Sequence, residues 1–345
     1  MDHFITMGHA ADVMRNETGI VVPVYLPKGI DVSIGERLLR DTVHSLVDRL
    51  SRPSSLCLCV DGSDCGEEIT SAISRKYGTS SSQAPVNKGK LNAIYHGMDF
   101  LMDSFDHRYL AVVDQDGDHF ANELENLVRA GEHIKSATQS GRVMVLGQRR
   151  SKHRPMGFLR GEIEELADRM LLDALQYRAA VLGRPLHLEY VLLLDEYPDF
   201  HSGLKLFDRE TTESIFRSDP VLAGTDETCY YRHGVEAVLT VEALESGAFL
   251  GSVTRSTINE QPISTFGMFD RIQLAADKII WPCRRLDIPG EFVQQWLANH
   301  IPRLLLSTMS PGGVEEMEKI RLAVLRGIDA GPSAGNQKLI QPLFV

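Results

Sequence analysis

Along the first 150 residues, short apolar runs alternate with stretches whose apolar positions recur at helical spacing. Residues 19–25 read as a first strand. Residues 34–50 follow as a helix, with Ile34, Leu38, Leu39, Val43, Leu46, Val47 and Leu50 on one face. A second strand covers residues 56–60, and a helix with acidic residues in its first turn covers 67–77. A serine-rich segment, 79–83, reads as a loop. Asn87-Lys88-Gly89-Lys90 then opens a helix carrying Leu91, Ile94, Tyr95, Met98 and Leu101. A strand from Tyr109, a helix over 122–136 and a strand over 143–146 complete the pattern. Strands and helices joined by short links mean right-handed crossovers and a mainly parallel sheet, an α/β fold.

The second half is less regular. A helix starts at Gly161, residues 188–194 are an apolar run, 204–207 a short strand and 234–244 a helix. Two helices and a Gly/Pro-rich tail are expected from Pro289 onward. The polar first 18 residues read as a flexible lead.

With 345 residues, the chain is long enough for a full core. Its net charge of −11 argues against a nucleic-acid partner held by bulk electrostatics, so any polyanion must be met by local basic groups or a metal. Of the five cysteines, Cys57, Cys59 and Cys65 crowd one strand without zinc-site spacing, which predicts buried free thiols. No signal pattern or membrane-length apolar run is present, and the expectation is a soluble, cytoplasmic protein.

The candidate chemistry centres on the strand from Tyr109, which runs into Asp114, Asp116 and Asp118. Three carboxylates at the end of a buried strand suit a hard cation, Mg²⁺ or Mn²⁺, shared with phosphate. A solvated turn is the plain alternative. A calcium loop is disfavoured because His119 stands where such a loop needs glycine. Lys90 behind Gly89 at a helix start suits an anion. Asp61-Gly62-Ser63 ends a strand and suits a base or ribose, or is a plain turn. The basic run containing Arg149, Arg150, Lys152, His153, Arg154 and Arg160 reads as solvated loop charge or as a phosphate-facing loop. Glu236 heads an apolar helix and reads as a surface residue or as a carboxylate aimed into a cleft.

Taken together, the order of Val21-Val22-Pro23-Val24-Tyr25, Asp61-Gly62-Ser63, Asn87 to Lys90 and Asp114-Gln115-Asp116 resembles a family 2 glycosyltransferase of the GT-A fold. His233-Gly234-Val235-Glu236 and the segment 247–251 are similar to the glucosyl-3-phosphoglycerate synthases and related retaining enzymes, and Ser202-Gly203 resembles their acceptor loop. Two positions depart from that pattern: Val60 replaces an acidic residue, and the stretch 255–262 lacks the histidine that binds metal in those enzymes.

The resemblance implies a Rossmann-like sheet flanked by helices, with a helical C-terminal extension. It divides the chain into a nucleotide-sugar half (19–150), an acceptor half (151–285) and the extension (286–345). It implies Mg²⁺ or Mn²⁺ on Asp116, with Asp118 and Asn259 as further ligands. Pro23, Tyr25, Asp61, Ser63, Lys90, Asp114 and Gln115 would hold a UDP- or GDP-sugar, with Arg149 and Arg154 as further anion contacts. The expected reaction is hexose transfer to a small polar, phosphorylated or carboxylated acceptor. Glu236, with Asp114 at the donor sugar, would support a retaining reaction, and Asp226 or Glu227 would be the base of an inverting one. No nucleic acid or membrane span is expected, and a homodimer through the C-terminal helices is compatible with the pattern. A sugar-phosphate nucleotidyltransferase and a catalytically silent nucleotide-sugar binder are the alternatives.

Overall fold

Helix α1 (Met7–Glu17) opens the computed structural model, which describes residues 4–26, 31–62, 66–191, 197–257 and 270–329. This segment, read from hydropathy as a loose lead, is held by tertiary contacts. The Thr6 hydroxyl accepts from His9 N at 3.1 Å, and Ala10, Val13 and Met14 are buried. Strand β1 (Thr18–Val24), helix α2 (Val32–Val47), strand β2 (Leu56–Asp61) and helix α3 (Glu67–Tyr77) follow. Strand β3 (Ser80–Ala84) replaces the expected serine loop. It pairs in parallel with β2, Cys57 to Ser80 through Asp61 to Ala84, so an edge partner overrides weak local propensity.

Helix α4 (Lys90–Ser104), strand β4 (Tyr109–Val112), helix α5 (Ala121–Thr138) and strand β5 (Val143–Arg149) continue the alternation. A short helix α6 (His153–Met156) precedes α7 (Phe158–Leu182), which starts three residues before the expected Gly161. Strand β6 (Lys205–Asp208), helices α8 (Arg209–Phe216) and α9 (Val235–Glu245), and strand β7 (Phe249–Arg255) come next. The C-terminal part holds α10 (Arg271–Arg285), α11 (Gly290–His300), α12 (Leu306–Met309) and α13 (Gly313–Gly327), with α10 packed between α7 and α13.

Among the described residues, seven strands form one sheet in the order β3-β2-β1-β4-β6-β5-β7, with only β6 antiparallel to its neighbours. Alternate residues of β1 enter two cores. Val21 packs with Cys57, Cys59, Leu91 and the helices α7, α9 and α10, while Ile20, Val22 and Val24 pack with α2 and α5 on the other face. Cys57 and Cys59 are buried and free. No described helix is long and apolar enough to cross a membrane.

The chain builds β2 and β3 to one side of β1 and then β4 to the other. Their shared carboxyl ends are therefore a topological switch point, where open α/β sheets bind ligands. Pro23 sits there without breaking the sheet. β1 pairs with β4 from Thr18 as far as Val21, whose carbonyl accepts from Val113 N. The N–H that Pro23 lacks would face the same side, beyond the end of β4, so no ladder bond is lost.

Candidate active site

Past Pro23 the β1 edge is completed by a side chain. Gln115 donates from Nε2 to Tyr25 O at 2.8 Å and accepts from Tyr25 N at 3.0 Å, so its amide replaces the strand that has ended. This fixes the turn after β4 to the end of β1. The two border a cleft of about 270 Å³ lined by Pro23, Tyr25, Asp61, Lys90, Asp114, Gln115, Asp116 and Glu236, with Arg160, Glu164, Arg232, His233 and Lys278 on its walls.

Asp61 is buried at the end of β2 and ties down the loop before α4. Its carboxylate accepts from Gly89 N at 2.7 Å, Lys88 N at 3.2 Å and Asn92 Nδ2 at 3.3 Å. Burial pushes its pKa up, against those bonds. Gly89 has φ +136, and a Cβ there would lie 2.4 Å from Tyr231 O, so only glycine fits against the turn that precedes α9. That π-helical turn (Cys229–His233) is fastened from its other side, where Arg232 Nη2 donates to Asn87 Oδ1 at 2.7 Å. Residues 87–90 and the head of α9 are thus locked together.

The result is a charge bridge across the cleft. Lys90 Nζ lies 2.7 Å from Asp114 Oδ1 and 2.9 Å from Glu236 Oε1. Burial opposes all three charges, but the bridge prevails. Lys90 is held above its ordinary value and Asp114 below the usual carboxylate range. Glu236 is drawn down to about 2, against burial, by Lys90, Lys278 and Lys205. His119, five residues after Asp114, accepts from Asp114 N at 3.0 Å through Nδ1 and is itself buried.

Asp116 is treated in the opposite way. Burial, then the charges of Asp114 and Asp118, push its pKa up to about 6. A carboxylate opposed in this manner suits a hard divalent cation, which needs one or two such ligands and completes its shell from water and phosphate. Among the described residues no group of three His, Cys, Asp or Glu side chains is arranged to hold a metal ion by itself.

No protein-family model matches the chain, and no curated protein matches it. Solved structures of glucosyl-3-phosphoglycerate synthase from Mycobacterium tuberculosis do. The complex with Mn²⁺ and UDP-glucose aligns with a TM-score of 0.52 at 16% identity, over 83% of this chain and 85% of that one. The complex with Mn²⁺, UDP and phosphoglyceric acid gives 0.51 at 16% identity, over 83% and 84%. The complex with phosphoglyceric acid alone gives 0.50 at 18% identity, over 83% and 85%. The fold is GT-A. At these identities the likeness is one of fold.

Within this GT-A frame several residues singled out from the sequence are engaged by the protein itself or lie away from the cleft. Asp118 is buried and engaged by Arg255, Nη1 to Oδ2 at 2.9 Å, so its carboxylate is neutralised by protein rather than offered to a metal. Arg149 is buried beneath the wall, with Nε donating to Asp199 Oδ2 at 2.7 Å and Nη2 to Glu164 Oε2 at 2.8 Å. It is a structural cation, not a phosphate contact. Asp226 is exposed, does not line the cleft, and accepts from Cys229 N at 2.8 Å, capping the π-helical turn. Gln115 is used on the Tyr25 backbone, as above. Ser63, Asn259 and the side chain of Arg154 lie outside the described residues.

Sequence reading passed over Arg232, Lys278 and Glu164, and took Arg160 only as part of a basic run. Lys278 is buried on α10 with Nζ 3.7 Å from Glu164 Oε1, and Arg160 Nε donates to the same oxygen at 3.1 Å. The Arg160–Glu164 pair, one helical turn apart, is readable from spacing, whereas Lys278 reaches Glu164 only through the packing of α10 on α7.

Proposed function

We propose that this chain is a metal-dependent glycosyltransferase that moves a hexose from a nucleotide-sugar, of UDP-glucose or GDP-mannose type, to a small polar acceptor bearing phosphate or carboxylate. The observation that carries this reading is the Lys90 bridge to Asp114 and Glu236 in a cleft at the switch point of a GT-A sheet. The UDP, UDP-glucose, Mn²⁺ and phosphoglyceric acid seen in the structural neighbours support it.

Pro23 and Tyr25 flank the nucleotide, and Asp61 holds the loop that faces its diphosphate. Lys90 meets the diphosphate as a point charge, releasing Asp114 toward the ribose or the donor sugar. Asp116 would hold Mg²⁺ or Mn²⁺, whose contribution when bound is to neutralise the departing diphosphate. Glu236 stands ionised beside the reacting sugar and stabilises positive charge as it develops. With Asp226 outside the cleft, the reading favours retention, the leaving phosphate drawing the acceptor proton. Arg160 and Lys278 face an anionic acceptor.

Thermal unfolding with UDP, GDP, UDP-glucose and GDP-mannose, each with Mn²⁺ and with EDTA, tests the proposal. A ligand that binds only the folded state raises its stability by mass action. The expected result is stabilisation by one nucleotide series, dependent on Mn²⁺. The absence of any shift would remove the reading.

A further inference from the structure

Lys205 is fully buried in the middle of the sheet, on the antiparallel strand β6, opposite Val112 of β4 and Leu146 of β5. A buried ammonium is expensive to desolvate, and a methionine would fill the same space without that penalty. Its hydrogen bonds go to backbone: Nζ donates to Phe200 O at 2.9 Å and to Ser202 O. The loop it grips is held from other sides as well. Arg149 N donates to Asp199 Oδ2 at 2.9 Å, His201 N to Asp168 Oδ1 at 3.2 Å, and Ser202 Oγ to Gly147 O at 2.6 Å.

What the loop delivers is Gly203. A Cβ on this residue would lie 2.0 Å from Asp114 Oδ2, so the bare backbone of Gly203 is packed directly on the Asp114 carboxylate. That carboxylate meets Lys90 with its other oxygen. We propose that Lys205 is a positioning residue: by gripping the carbonyls of Phe200 and Ser202 it seats Gly203 against Asp114 and fixes that carboxylate for the donor. The proposal rests on the glycosyltransferase reading and adds a residue to it that touches neither substrate nor metal.

The charged groups facing Lys205 are Glu236 on α9, Lys90 on α4, Asp199 in the loop and Asp114 after β4. Burial dominates among these influences and brings the Lys205 pKa down to about 8. A deprotonated amine grips two carbonyls less well than an ammonium, so the seating loosens as pH rises through that value.

The test compares wild type with Lys205→Met, Lys205→Arg and Gly203→Ala, following UDP release from UDP-glucose with Mn²⁺ and 3-phosphoglycerate, alongside thermal stabilisation by UDP and Mn²⁺. Lys205→Met should keep the stabilisation, because Lys90 and Asp116 are untouched, while kcat falls about 100-fold, as expected for a misplaced catalytic group. Gly203→Ala should lower kcat in the same direction through the Cβ clash, and carries the test should Lys205→Met not fold. Wild-type kcat should decline above a pH of about 8, and Lys205→Arg should move that decline upward, which a purely structural lysine would not do. A Lys205→Met protein that binds UDP with Mn²⁺ and turns over at the wild-type kcat overturns the proposal. A wild type stabilised by neither UDP nor GDP in the presence of Mn²⁺ overturns the glycosyltransferase reading instead.

Discussion

Lys90 is the residue on which the cleft's electrostatics turn. With it in place, Asp114 and Glu236 remain ionised although burial opposes their charge. Without it two carboxylates share one pocket, and repulsion must be relieved by proton uptake or by movement. Lys90→Met should therefore destabilise the fold at pH 7 by about 1–3 kcal/mol, a discounted figure because the lysine is partly open to solvent. The sign with pH follows from the direction of the shifts. Carboxylates with depressed folded values contribute stability above their unfolded pKa, near 4, and lose it as pH falls toward about 2 for Glu236. The gap between wild type and Lys90→Met should accordingly be widest at neutral pH and shrink below pH 4 in urea denaturation series. An equal gap at pH 7 and pH 3 would mean that the lysine acts through packing. At this scale the Lys90, Asp114 and Asp116 motifs were legible because each is local: a glycine-led helix start and a strand ending in acid. Asp118 and Arg149 misled because their partners, Arg255 and Asp199, lie 137 and 50 residues away.

The same division between local and distant information governs the elements. The helix over residues 67–77 was readable to the residue because its acidic head and glycine stop are written in sequence. Helix α1 and strand β3 were not, because their reasons lie elsewhere in the chain. Glu132 on α5 is buried and gathers three partners: His9 Nε2 of α1 at 2.7 Å, Tyr109 Oη of β4 at 2.7 Å and Arg108 Nη2 at 2.8 Å. It joins the first helix to the strand that carries the acidic motif. Glu132→Ala should cost about 2 kcal/mol, the penalty for leaving the buried Tyr109 hydroxyl without its acceptor and removing the shared partner of His9 and Arg108. Hydrogen exchange should show α1 amides losing protection while those of β1 keep theirs. Undiminished protection across 7–17 would mean that Ala10, Val13 and Met14 alone hold the helix.

For the whole molecule, the switch point has a consequence for stability as well as for binding. The turn after β4 holds Asp114, Asp116 and Asp118 within five residues at that switch point, and Asp116, buried beside the other two charges, has its pKa raised to about 6. A folded value above the unfolded one means that the folded state binds more protons between those two values. Stability of the ligand-free protein should therefore rise as pH falls from about 6 toward 4, and ionised Asp116 is a destabilising group at neutral pH. Asp116→Asn removes that charge. It should raise the ligand-free unfolding free energy at pH 7 by about 1–2 kcal/mol, reduced from the full linkage value because the residue is partly accessible. The same substitution should abolish the Mn²⁺-dependent shift by UDP and the transfer reaction. A binding site that trades stability for charge is expected to show both effects together. In the wild type, protons and metal would compete for this carboxylate, so the Mn²⁺-dependent shift should weaken as pH drops below about 6. If Asp116→Asn leaves the fold less stable and the UDP shift intact, the carboxylate is a structural acceptor and the metal lies elsewhere.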